Sequence, residues 1–354
     1  MSTPEPDPAL DPVSDPAQAD APGAAAEPHA LDAVVVGAAW SRAGGPRNLR
    51  SLDEALTALA DPEATVWVDL EDPGTEQLAR LAGPLGLHPL VVEDIVDRDQ
   101  RAKVEYTDDV MHVVMFAAVG VTELPELVEV DIVLTPRCLV TSHPAAWRPL
   151  EHGAPGRMGA THFLSRGPDA ALYAVLDTIV DGYFPVIDRL SDAIDELEDA
   201  AIERADRSVV ERLFAARRSL LLLRRAVAPE REVLNQLTNR DNPLIAPEAL
   251  VYFRDVYDHL VRITDELDIH RDLLSGALDA YLSTVNNTLS EVMKRLTAVT
   301  AVLAGVGAVA GIFGMSEAAS AFDLREGGGF WLVTGLVIAI GALITWYFRR
   351  IGWI

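Results

Sequence analysis

Two uncharged stretches near the C-terminus constrain this chain more than any other feature. Leu296 to Met315 runs for 20 residues without a charged side chain, and Phe330 to Phe348 for 19. Each is close to the roughly 20 residues that an α-helix needs to cross about 30 Å of hydrocarbon. Both are expected to be transmembrane helices; the alternative, a buried hairpin in a soluble protein, seldom needs such length. Lys294 and Arg295 precede the first stretch, and Arg349 and Arg350 follow the second. The loop between them, Ser316 to Gly329, holds Glu317, Asp323 and Glu326 against a single Arg325. By the positive-inside rule both termini face the cytoplasm and only this loop faces outward. That is the topology of a two-span protein of the plasma or inner membrane.

Outside the spans the chain is acidic: 29 Lys and Arg stand against 54 Asp and Glu, a formal charge of −25. Such a balance repels a phosphate backbone, no Lys/Arg stripe offsets it, and nucleic-acid partners are therefore excluded. Cations are its natural counterparts. The single cysteine, Cys138, has no second thiol in the chain to bridge. Residues 1–30 contain seven prolines, eight alanines and six acidic groups with no Lys or Arg, and are expected to be a disordered tail. They lack the basic start and apolar core of a signal peptide.

From Leu31 to His143 short β-rich runs (Ala33 to Val36, Thr65 to Leu70, Val110 to Phe116, Val128 to Leu134, Cys138 to Thr141) alternate with helical stretches such as Gln77 to Leu81. That predicts an α/β domain. From Asp169 the period becomes helical. Leu172, Leu176, Ile179, Tyr183, Ile187, Leu190, Ile194 and Leu197 mark one face of a long helix, and a second spans Val209 to Asn239, with a kink expected at Pro229. A third can start at Glu248 and continue into the first span, about 100 Å at 1.5 Å per residue. Its apolar stripe, from Val256 to Leu296, suits a stalk packed against other helices, of this chain or of another copy.

Two helices cannot wall a polar path, so a conducting protein of this design must oligomerise. Gly307 and Gly311 form a G-x-x-x-G pair in the first span, and Ala301/Gly305 and Ala304/Ala308 repeat the spacing. Small residues so placed let helices approach closely, either between copies or against the second span.

Several segments, in order, resemble the CorA family of divalent-cation channels: Trp67-Val68-Asp69-Leu70, Gly86 to Ile95, Arg101 to Glu105, Tyr252 to His259, Tyr281-Leu282-Ser283, Glu291 to Thr297 and Ala310 to Met315. The resemblance spans about residues 33–354. It implies a CorA-like funnel: an α/β cytoplasmic domain over 31–165, antiparallel funnel helices over 166–246 and a stalk helix over 247–295. A pore-forming transmembrane helix over 296–315, an external loop over 316–329, a second transmembrane helix over 330–348 and a basic cytoplasmic end over 349–354 complete it. It further implies a homopentamer that takes up Mg2+, with Co2+ and Ni2+ as further ions, and that needs no organic cofactor.

The resemblance also implies residue roles. The family's Gly-Met-Asn signature is here Gly314-Met315-Ser316, followed by Glu317 as a supplementary carboxylate. Hydrated Mg2+ is recognised through its waters by oxygen ligands, which a serine ring offers with shorter reach than an amide. Ser290, Met293, Leu296, Ala304 and Gly307 fall at pore-lining positions, with Met293 and Leu296 able to gate by dewetting. Glu93, Asp94 and Asp255 match positions that hold regulatory Mg2+ between subunits, where a cation would offset carboxylate repulsion.

Asp255, Asp258, Asp265, Asp268, Asp272 and Asp279 share one stalk face, either merely solvated or a funnel that concentrates cations. No nucleophile-and-base arrangement or phosphate loop points to an enzyme. Two other readings stay open: a zinc-type transporter of the same superfamily, and a non-conducting cation-sensing membrane protein.

Overall fold

A computed structural model describes residues 34–120, 125–149, 155, 158–203, 206–239, 242–314 and 328–352. The acidic tail over 1–30 and the loop residues Met315, Ser316 and Glu317 lie outside them.

The N-terminal half is a seven-stranded sheet in the order β2-β1-β3-β7-β6-β5-β4. Its strands are β1 Val34–Ser41, β2 Gly45–Leu49, β3 Ala64–Glu71, β4 Lys103–Thr107, β5 Val110–Val119, β6 Glu126–Leu134 and β7 Cys138–His143. Only β3 and β7 pair in parallel; every other pairing is antiparallel. Alternation along β3 sends Val66, Val68 and Leu70 to one face and Trp67 to the other, so the sheet is buried on both sides. The first face carries three short helices, α1 Leu52–Leu59, α2 Thr75–Leu85 and α3 Pro89–Asp97, through Leu52, Leu78, Leu81 and Ile95. On the second face Met111, Met115, Ile132 and Leu139 join the core of the helical half.

That half comprises α4 Ala160–Leu164, α5 Pro168–Asp181, α6 Phe184–Glu203, α7 Arg207–Asn239, α8 Leu250–Gly314 and α9 Gly328–Arg350. The periodic residues from Leu172 to Leu197 predict one helix, and the structure makes two. Pro185 has no N–H, and its ring excludes the carbonyl four residues back, so the ladder breaks at Gly182 and Tyr183. Tyr183 N–H instead meets Val180 O at 3.1 Å, and the next helix starts from Tyr183 O, which accepts from Ile187 N–H at 3.0 Å. The α7 helix, by contrast, continues through Pro229.

The 65 residues of α8 pass without interruption from the helical core into the first apolar span. Phe253, Val256, Leu260, Ile263, Leu267, Leu274 and Ala277 are buried against the chain's other helices. Beyond Ala277 the same stripe emerges: Leu289, Val292 and Leu296 are exposed in the single chain. The 23-residue α9 is uncharged from Phe330 to Phe348 and packs back along the end of α8. The apolar stretch of α5 and α6 is also long enough to cross a membrane, but it is mostly buried in the core, whereas the most apolar stretch of α8 is almost wholly uncovered.

Candidate functional site

The expected pore residues lie on α8. At 100° per residue, Ser290, Met293, Leu296, Ala304 and Gly307 fall within an arc of roughly 120°. All five are exposed, with Met293 and Leu296 at 59% and 65%. Gly314 is the last residue of this helix.

The opposite side of α8 holds the hairpin together. A side chain built at Gly305 would meet Ile344 Cδ1 at 3.0 Å, and one at Gly341 would meet Val306 Cγ2 at 3.4 Å. Ala298 is buried on that side. Gly307 and Gly311 have open space around them. The small residues thus divide by role: Gly305 packs against the second span, and the G-x-x-x-G pair faces away from it.

Glu93 and Asp94 are presented by α3. His88 caps this helix, its Nδ1 accepting from Leu90 N–H at 3.2 Å, and Pro89 supplies a first position that needs no donor. Val91 and Ile95, one turn apart, are buried, which turns Glu93 outward and leaves Asp94 half-buried at the flank. Asp94 accepts from Gln100 Nε2 at 3.2 Å and from Lys103 Nζ at 2.7 Å. Lys103 also reaches Glu105 at 3.2 Å. Burial would lower the Lys103 pKa, but its hydrogen bonds to Asp94 and Glu105 outweigh that and raise it, so the ammonium stays charged.

Asp255 is exposed on α8 and belongs to neither close grouping of metal-capable side chains that the described residues of the chain form. One grouping is Asp94, Glu105 and His112; the other is Asp177, Asp181 and His259. Asp255 still lies near the second. Burial, and then the charges of Asp177, Asp255 and Asp181, push the Tyr173 hydroxyl up to about 12. His259 Nδ1 is 3.6 Å from Asp181, and its ring meets Phe184 edge-on at 5.7 Å. Sequence reasoning missed this patch. Its signal is spacing: Asp177 and Asp181, like Asp255 and His259, stand one helical turn apart and so share a face. Further along the stalk, Asp268 pairs with Arg224 and Arg271, and Asp272 with Arg271 at 2.9 Å, so part of the acidic stripe is already neutralised.

The carboxylates lie on the helices and sheet outside the spans, and Ser290, Met293, Leu296, Ala304 and Gly307 share an exposed face at the end of the stalk and in the first span. A family model described as "CorA-like Mg2+ transporter protein" matches residues 62–350. The chain is 32% identical over 315 residues to the cobalt/magnesium transport protein CorA of Thermotoga maritima, covering 87% of this chain and 89% of that one. It is 31% identical over 303 residues to the putative metal ion transporter YfjQ of Bacillus subtilis, covering 82% and 90%. Among solved structures, the complete CorA magnesium transporter from Methanocaldococcus jannaschii superposes with a TM-score of 0.75 at 24% identity, over 91% of this chain and 99% of that chain. The fold, with its extramembrane α/β domain, long helix and two membrane helices, is thus that of a full-length CorA. The chain belongs to the CorA-like Mg2+ transporter family, and is a membrane transporter of divalent cations rather than an enzyme.

Proposed function

We propose that the protein is a homopentameric channel that admits Mg2+, with Co2+ and Ni2+ as further ions, down its electrochemical gradient into the cytoplasm. The observation that carries this reading is the uncovered face of α8, where Ser290, Met293, Leu296, Ala304 and Gly307 lie opposite the side that packs on α9. A face without a partner in its own chain is suited to symmetric copies, and five such helices would wall a path that two cannot. Met293 and Leu296 form the apolar constriction that opens and closes by wetting. Ser316, with Gly314, Met315 and Glu317, forms the outer ring that receives hydrated Mg2+ through its waters. Both termini are cytoplasmic, as the positive-inside rule requires of Lys294, Arg295, Arg349 and Arg350.

Glu93 and Asp94 of one copy face Asp255 of the next, beside Asp177 and Asp181, and cytosolic Mg2+ bridges them. Its loss lets the carboxylates repel and the stalks separate, so that uptake follows internal supply. Rescue of a magnesium-transport-deficient host tests the reading. Growth restored by the wild-type chain supports conduction, and Ser316→Asn is expected to alter ion preference and flux. Rescue by Ser316→Asn alone would instead make the natural chain a non-conducting sensor, and equal flux and selectivity in both would remove Ser316 from the filter.

A further inference from the structure

Three strands bring together side chains that the proposed conduction path does not use. In the antiparallel β4–β5 pair Glu105 stands directly opposite His112, and Lys103, two residues earlier, shares its face of the sheet. In the β5–β6 pair His112 stands opposite Val133, which puts Asp131, two residues away, on the same face as His112. Asp94 comes over this corner from α3, and one carboxylate oxygen each of Asp94 and Glu105 and one ring nitrogen of His112 all lie within 4.8 Å of one another.

The imidazole decides what such a corner is for. The His112 side chain is 1% exposed. Its Nε2 lies 2.9 Å from Asp131 Oδ1, and its Nδ1 is buried without a hydrogen-bond partner. An ionised Asp131 can only accept, so this bond selects the Nε2–H tautomer and leaves the lone pair on Nδ1. A buried acceptor with no donor is costly. A carboxylate that fixes one ring nitrogen while the other stays free is the outer support that a metal-ligating histidine characteristically has.

We propose that Asp94, Glu105 and His112 Nδ1 bind one divalent transition ion of borderline softness, Zn2+ or Co2+, in competition with the Lys103 ammonium. One nitrogen and two carboxylate oxygens suit such an ion, whereas Mg2+ prefers an all-oxygen shell and keeps its waters. In a tetrahedral shell with bonds of about 2.1 Å, ligand atoms are about 3.4 Å apart, so the corner has to contract by an ångström or so. Glu105, on the exposed edge strand, is free to supply most of that movement. Lys103 now occupies the position between the carboxylates, 2.7 Å from Asp94 and 3.2 Å from Glu105, and has to swing out. The site goes beyond the conduction reading; it shares Asp94 with the proposed regulatory position and is otherwise separate from it.

Zinc titration of the full chain in detergent, with Mg2+ in large excess, followed by X-ray absorption at the zinc edge, tests this. One Zn2+ per chain with an imidazole in its first shell is expected to survive the excess Mg2+. Glu105→Gln, an exposed change that leaves the fold intact, should weaken it about tenfold or more, and Asp131→Asn by about 10-fold to 100-fold. Lys103→Met should tighten it. His259→Gln removes the histidine of the second grouping, Asp177, Asp181 and His259, and should leave the signal unchanged, as should Asp255→Asn, which strikes the regulatory reading alone. An oxygen-only shell, or equal zinc affinity in Glu105→Gln and wild type, would overturn the proposal.

Discussion

Phe116 and Glu230 stand 114 residues apart in the chain, and the backbone N–H of the first donates to Oε1 of the second at 2.7 Å. The bond has a reason in the sheet. The β4 strand ends at Lys103, opposite Val114, so the edge of β5 is bare two residues further on. Glu230 of α7 accepts the orphaned N–H, and Tyr183, exposed to the core by the break between α5 and α6, donates its hydroxyl to Phe116 O at 2.7 Å. Tyr183 also lies 3.1 Å from Glu230 Oε1. One carboxyl and one phenol thus cover a sheet edge and fasten the helical half to it.

This arrangement predicts a pH-dependent stability. Burial raises the Glu230 carboxyl from 4.5 to about 8, against smaller lowering effects from the Phe116 and Tyr183 bonds. Because the folded pKa lies above the unfolded one, its stabilisation is complete below the unfolded value and declines as pH rises towards the folded value. Between about pH 5 and 8 the unfolded chain binds fewer protons than the folded one, which costs about 1.4 kcal/mol per pH unit at full difference. Thermal unfolding in detergent should show the melting temperature falling over that range. Glu230→Gln keeps the acceptor for Phe116 and should flatten the profile; an unchanged slope would show that Glu230 is not the group responsible.

The two sets of glycines in the first span make a second test. Gly305→Leu drives a side chain into Ile344, and such overpacking costs about 1–3 kcal/mol, so the hairpin should lose thermal stability in detergent. Gly307→Leu meets open space in its own chain. Its melting behaviour as a hairpin should be preserved, while light scattering on the purified protein reports smaller assemblies. A variant at Gly307 that keeps the full oligomer would place that glycine on the lumen of the path or on lipid, and not between copies.

How much of this was legible in the sequence depends on how strongly each element patterns its residues. The long stalk and both spans were readable because a 3.6-residue apolar period and uncharged runs of about 20 residues have few other causes. The exposed edge strands β2 and β4 were not, since G-P-R-N-L and K-V-E-Y-T bury little and alternate weakly. Short helices such as α3 were also missed, although His88-Pro89 is a start signal. The break at Tyr183 was announced by Pro185 but masked by a hydrophobic period that continues through it. For the site, a family pattern pointed to Glu93, Asp94 and Asp255 one by one. What it could not supply was company: Lys103 on Asp94, Asp177 and Asp181 beside Asp255, and His112 over Glu105 are brought together by sheet register and helix packing across stretches of sequence that share no motif.

The carboxylates proposed to bind regulatory Mg2+ make the last prediction. Among the described residues no Lys or Arg forms a salt bridge with Asp255 in the way Lys103 does with Asp94, and the negative groups around Tyr173 would add to its repulsion of an adjoining copy. A bridging cation therefore has most to contribute there. An ion that binds only the closed assembly stabilises it by about 2.7 kcal/mol when present at a hundred times its Kd. Limited proteolysis of the full-length protein should accordingly cut the stalk slowly in Mg2+ and quickly in chelator. Asp255→Lys replaces the ligand by a tethered ammonium, so the difference between the two conditions should largely vanish. Equal protection of the wild-type chain with and without Mg2+, or a difference that Asp255→Lys leaves intact, would show that Asp255 does not read the cytosolic ion.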